Sequence, residues 1–187
     1  MAHAYRHMKD NFIPKNFIID VDGVLTDGTF YYTKEGKVMK RFGPEDNDAL
    51  SLLNGKLSVH AITGDKRGFE ITKKRVAEDM KLPLDLVSTF KRVEWLKERF
   101  NLGETIFMGD GIYDALVFRR VGYSIAPANA FFTAKEIANF VTHARGGEGA
   151  VAEACVHILD KFFEPFDVEN LDFKEGSGAW NRDELSG

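Results

Sequence analysis

Short apolar runs alternating with longer amphipathic, capped segments organise this chain. Phe17-Ile18-Ile19 is too short for a helix and rich in β-branched residues, and it runs straight into Asp20, Val21, Asp22 and Gly23. That pattern predicts a buried strand that delivers two acids to its carboxyl end. Further strands are expected over 57–62, 84–87, 105–108, 121–125 and 140–142, with helices over 45–54, 67–80, 91–100, 133–139 and 150–163. Strands alternating with helices imply an α/β fold, a parallel, mostly doubly wound sheet. Two β-prone runs, 29–33 and 37–42, flank Lys34-Glu35-Gly36 and read as a hairpin. The hairpin is too small for a separate domain, and its aromatic side would stay exposed unless a partner subunit covered it.

Length and composition narrow the picture. With 187 residues and 44% hydrophobic content, the chain suits one domain, expected over 15–165. Residues 1–14 read as an N-terminal extension, and 166–187 as a polar tail with Phe166, Leu171, Phe173 and Trp180 as apolar anchors. A formal net charge of -4, with Lys and Arg dispersed, argues against a nucleic-acid surface. The single cysteine, Cys155, excludes an internal disulfide and suits a reducing compartment. No apolar run is long enough to span a membrane, and the first ten residues lack the apolar region of a secretory signal, so the cytoplasm is expected. His3 and His7 have a metal-compatible spacing but lie in a terminus expected to fray.

The strand ends carry the candidate chemistry. Ligands of open α/β sheets bind beyond the carboxyl ends of the strands, where Asp20 and Asp22 emerge. Two carboxylates this close repel unless a positive group lies between them, and a hard cation such as Mg²⁺ would serve; the alternative is an ordinary acidic turn. Thr63-Gly64-Asp65 ends the next strand just before a helix, which makes an anion site or simply an N-cap. Lys91 falls in the first turn of its helix, where a cation opposes the dipole and calls for an anionic partner. Gly109-Asp110-Gly111-Ile112-Tyr113-Asp114 places two more acids after a strand.

Strand ends bearing Asp20 and Asp22, then Thr63, then Lys91, then Asp110 and Asp114 resemble the haloacid dehalogenase superfamily of phosphohydrolases. The Asp20-to-Gly28 wording, the hairpin in place of a large cap, and Gly146-Gly147-Glu148-Gly149-Ala150-Val151 resemble its capless 3-deoxy-manno-octulosonate 8-phosphate phosphatases. The resemblance implies a Rossmann-like three-layer sandwich and a Mg²⁺-dependent phosphomonoesterase acting on a sugar phosphate. It also implies a homotetramer whose hairpins and tails cover neighbouring sites. Asp20 would be the nucleophile and Asp22 the acid and base. Thr63, Gly64 and Lys91 would bind the phosphate. Asp20, Asp22 through its backbone carbonyl, and Asp110 would hold the metal, with Asp114 behind them as a water-mediated metal partner or orienting Lys91.

The chain also departs from that pattern. Glu45, Asp65 and Ala152 stand where the octulosonate phosphatases carry arginines, so capture of an anionic sugar acid should weaken. Arg41, Arg67, Arg92 and Arg145 are the candidates to compensate. Another sugar phosphate of surface-polysaccharide synthesis, neutral or a nonulosonate, is the nearest rival substrate. A phosphoacceptor domain and a catalytically silent oligomeric subunit are the rivals from other classes. The second acid, Asp22, argues for turnover rather than a lasting signal.

Overall fold

The structure is a computed structural model and describes residues 12–170. Six strands form one parallel sheet in the order β5-β4-β1-β6-β7-β8. They are β1 (Asn16–Asp20), β4 (Ser58–Thr63), β5 (Leu84–Leu86), β6 (Thr105–Met108), β7 (Tyr123–Ala126) and β8 (Phe140–Val141). The central strand β1 lies between β4 and β6, pairing Ile18 with His60 on one side and with Phe107 on the other. Its three apolar residues have no exposed surface, which is why the sequence shows a continuous apolar run there rather than alternation. Phe17 and Ile19 pack into one core with α1 (Glu45–Leu50) and α6 (Ala150–Phe162). Ile18 points the other way, into a second core with α3 (Arg92–Arg99), α4 (Asp114–Phe118) and α5 (Phe132–Ile137). The period-two geometry of a strand thus joins two helical layers to one sheet.

The expected hairpin is present as β2 (Tyr31–Thr33) and β3 (Gly36–Met39), paired antiparallel. Phe30, Tyr31, Tyr32, Val38 and Met39 all remain exposed on it. Two expected helices begin or end differently. The first turn of the third helix is a 3₁₀ turn over Thr89–Lys91, and α2 (Phe69–Lys73) continues with looser turns to Asp79. No helix among the described residues is long and apolar enough to cross a membrane. His3, His7 and the tail anchors Leu171, Phe173 and Trp180 lie outside the described residues.

Candidate active site

Directly after β1 the chain makes a tight turn over Val21–Leu25, and Gly23 takes φ +86 to close it. A side chain at Gly23 would meet that φ with strain and would run into the Asp110 carboxylate. Thr26 Oγ1 accepts the Gly23 N–H at 3.1 Å, and Asn129 donates to the Gly23 carbonyl at 2.9 Å. Asn129 is itself anchored by the Gly146 N–H, at 2.6 Å, and the Gly147 N–H binds the Val24 carbonyl at 3.0 Å. The glycine-rich run before α6 is therefore a buttress. Its glycines let two backbones touch behind the acids, because a Cβ on Gly146 would strike the Gly23 carbonyl.

In front of that turn three carboxylates converge. Asp20 at the end of β1, Asp110 after β6 and Asp114 at the start of α4 each bring an oxygen within 4.8 Å of the others. Burial drives the Asp20 carboxyl up from 3.8 to about 7, with Asp114 and Asp22 adding repulsion and Arg92 opposing it. Burial, then the Asp20 and Asp114 charges, drive Asp110 up to about 8. Crowded, desolvated acids of this kind call for a cation. Arg92 supplies one: its guanidinium grips both oxygens of Asp20, at 2.6 and 2.9 Å, and also reaches Asp114. Burial disfavours the Arg92 charge, but the two carboxylates more than offset this and hold it protonated. The all-oxygen donor set suits a hard divalent ion, and the Gly23 turn leaves open the space a Cβ would fill beside Asp110.

Asp22 turns away from that cluster. Its Oδ2 accepts the Thr63 hydroxyl at 2.8 Å and its Oδ1 faces the Lys40 ammonium at 2.7 Å. Thr63, fully buried at the end of β4, also accepts the Asp65 N–H at 3.0 Å, so the strand end is knitted to the loop before α2. Gly64 has no room for a side chain, since a Cβ would lie 2.9 Å from Thr89 Oγ1. An open cleft of about 290 Å³ lies over these groups, lined by Asp20, Asp22, Asp65, Arg92, Phe30 and Tyr113 among others.

The expectation for Lys91 is corrected by this geometry. Lys91 is exposed on the 3₁₀ turn and does not line the cleft, whereas Arg92, one residue on, is buried in it. A 3₁₀ turn rotates about 120° per residue instead of 100°, so the sequence could not say which of the two neighbours faces the sheet. The side chain of Asp22 does not join the metal-competent carboxylates, and Asp114 does. Lys40 was not anticipated; its only sequence signal was its place at the inner end of the hairpin. Of the four arginines considered as substitutes, only Arg92 enters the cleft. Arg67 and Arg145 are exposed, and Arg41 pairs with Glu148 at 2.8 Å. Glu45 is exposed, and Ala152 contributes only its backbone N–H, to Asp46 at 3.0 Å.

Comparison with known proteins agrees with the geometry. Residues 93–154 match the family model described as haloacid dehalogenase-like hydrolase. The chain is 32% identical over 152 residues to the 3-deoxy-D-manno-octulosonate 8-phosphate phosphatase KdsC of Salmonella typhi, covering 76% of this chain and 77% of that one. The chain belongs to the haloacid dehalogenase-like hydrolases. Within them it is a phosphatase similar to KdsC. Its fold matches the crystal structure of the phosphatase of that name from Moraxella catarrhalis, in complex with magnesium, phosphate and KDO. The TM-score there is 0.68 at 27% identity, covering 79% of this chain and 86% of that one. The cobalt-bound enzyme from Haemophilus influenzae matches with a TM-score of 0.71 at 28% identity, covering 80% and 89%.

Proposed function

We propose that the protein is a Mg²⁺-dependent sugar-phosphate monoesterase that works through an aspartyl-phosphate on Asp20. The observation that carries this reading is the convergence of Asp20, Asp110 and Asp114 on one point, with Asp22, hydrogen-bonded by the buried Thr63, beside them at the cleft. Asp20 attacks the phosphorus in line with the ester oxygen, the P–O bond to the sugar breaks, and Asp22 gives its proton to the departing alkoxide. Asp22 then takes a proton from water, which attacks the phosphorus and frees Asp20 with release of phosphate. Asp20, Asp110 and Asp114 would hold the metal, which when bound supplies charge neutralisation for the phosphoryl oxygens. Arg92 adds a fixed guanidinium at the same place, and Gly64, directly after Thr63, lines the cleft beside it.

The similarity to KdsC, and the KDO, phosphate and magnesium bound by the Moraxella enzyme, support a sugar phosphate as substrate. A neutral leaving group is favoured over a sugar acid by one observation. Among the described residues, Arg92 is the only cation lining the cleft, and it is already committed to Asp20 and Asp114. The exposed aromatic hairpin fits assembly as a homotetramer. The test is phosphate release from a panel of sugar phosphates with Mg²⁺ or chelator. The panel holds octulosonate 8-phosphate, nonulosonate 9-phosphates and neutral hexose and heptose phosphates. Metal-dependent release that Asp20→Asn abolishes, with fold retained, is expected; release by Asp20→Asn at the unmodified rate would overturn the covalent mechanism.

A further inference from the structure

The Lys40 side chain has no exposed surface, although it comes from the hairpin, and its ammonium is spent entirely inside the protein. It lies 2.7 Å from Asp22 Oδ1, 2.8 Å from Asp65 Oδ2 and 2.7 Å from Thr72 Oγ1. One N–H donates to Thr72 Oγ1, and the charge pairs with the Asp22 and Asp65 carboxylates. Nothing is left with which to bind substrate. What the arrangement does is fix Asp22. One carboxylate oxygen is hydrogen-bonded by Thr63 from β4, and the other faces the Lys40 ammonium from the hairpin as an ion pair without hydrogen-bond geometry, which biases the carboxyl plane to one orientation. Both anchors are anchored in turn. Asp65, which stands where an arginine is expected in the resembled phosphatases, binds Lys40 and also Lys37, and the Lys37 ammonium sits 3.3 Å over the Phe30 ring. Burial alone would raise the Asp65 carboxyl, but the two lysines bring it down to about 2, which keeps it an anion for them to grip.

We infer that Lys40 is a positioning residue for catalysis: held by Asp65 and Thr72, it sets the orientation in which Asp22 meets the leaving-group oxygen. The inference rests on Asp22 acting as the acid. The loss of the arginine at position 65 then has a use in this chain, because an arginine there would repel Lys40 and Lys37 instead of seating them.

A side chain that aims a general acid is needed in proportion to how badly the leaving group needs a proton. An alkoxide leaves poorly without one, whereas p-nitrophenolate leaves unaided. The experiment measures kcat/KM, which covers the steps through departure of the leaving group. The substrates are p-nitrophenyl phosphate and the fastest primary sugar phosphate of the panel. Lys40→Met should lose about a hundredfold on the sugar phosphate, the scale of a misplaced catalytic group, and less than about threefold on the aryl ester. Thr72→Val and Asp65→Asn, which leave Lys40 in place with one weakened anchor, should lose about tenfold with the same selectivity. They decide the matter if Lys40→Met does not fold. Lys37→Met should leave the ratio of the two substrates unchanged. An equal loss on both substrates, or no loss on either, overturns the positioning role. Asp22→Asn separates the two readings: if it too falls equally on both esters, the acid role itself fails. If it is selective while the Lys40, Thr72 and Asp65 variants are not, only the positioning inference falls.

Discussion

Replacing Asp46 by Asn should make the protein more stable at neutral pH. Asp46 lies in the first turn of α1, only 1% exposed, and caps the neighbouring helix α6 by accepting the Ala152 N–H at 3.0 Å. Its other oxygen, Oδ2, is buried without a hydrogen-bond partner among the described residues. Burial pushes the carboxyl from 3.8 up to about 6, with the Ala152 and Val151 N–H groups pulling it back and Glu45 pushing it further up. The folded state therefore holds a proton that the unfolded chain has already lost between those two pH values. Stability is full below about 3.8, declines as pH rises through the window to about 6, and stays lower above it. At 1.36 kcal/mol per pH unit the plateau loss is about 3 kcal/mol. Asn keeps the shape and the accepting oxygen but carries no charge. Urea unfolding of both proteins at several pH values, followed by circular dichroism, isolates this one group, because every other titration cancels in the difference. The variant should gain about 3 kcal/mol at pH 8, with the gain fading to nothing by about pH 4. A gain that does not vary with pH, or a loss at pH 8, would refute the reasoning, since either would mean that the ionised cap on α6 outweighs its desolvation.

Arg92→Met strands Asp20 and Asp114 as buried carboxylates and should cost about 3–5 kcal/mol of unfolding free energy in the same assay at neutral pH. Arg92→Lys should recover only part of that, since one ammonium cannot span the contacts of the guanidinium fork; a Met variant as stable as the parent would show that the pairing is worth nothing. Mg²⁺ at about a hundred times its dissociation constant should add about 2.7 kcal/mol to unfolding in a thermal-shift titration. Asp110→Asn should abolish that gain, and an undiminished shift would remove Asp110 from the metal site. Gly23→Ala should lose it as well, because the new methyl would run into the Asp110 carboxylate and the position requires φ +86; an unchanged Mg²⁺ response would show that the turn is not the cradle described.

The sheet and its strand ends were legible because buried parallel strands leave an unmistakable mark. Phe17-Ile18-Ile19 and Thr105-Ile106-Phe107-Met108 are apolar throughout, and each stops at an acid or a glycine-acid pair. Asp20, Thr63, Asp110 and Asp114 could therefore be brought to one edge of the sheet before any coordinates. The register of helix starts was not legible. Lys91 and Arg92 are adjacent cations, and only the 3₁₀ turn over Thr89–Lys91 turns the second of them inward. Lys40 and Lys37 were hidden for a different reason. Their partners, Asp22, Asp65 and Thr72, lie 18 to 32 positions away, and no local pattern distinguishes a lysine about to be buried from one in solvent.

Asp65 and the two lysines change how the missing arginines are to be understood. Taken one position at a time, an acid at 65 where an arginine is expected is a loss of anion-binding power. In the folded chain that acid is the seat of two hairpin lysines, Lys37 and Lys40. The Asp65 carboxylate pairs with both lysines, Lys37 lying under the Phe30 ring and Lys40 facing Asp22. An arginine fork facing the cleft would hold a substrate carboxylate, whereas the Lys40 ammonium buried behind Asp22 cannot reach one and, on the inference above, orients the enzyme's own acid. On the proposed mechanism, chemistry at phosphorus and choice of leaving group fall to separable parts of the fold. The first belongs to the ends of β1, β4 and β6, and the second to the hairpin and the loop it closes upon. Substitutions of Lys40 and its anchors should accordingly alter which ester is cleaved long before they alter whether phosphate can be transferred to Asp20.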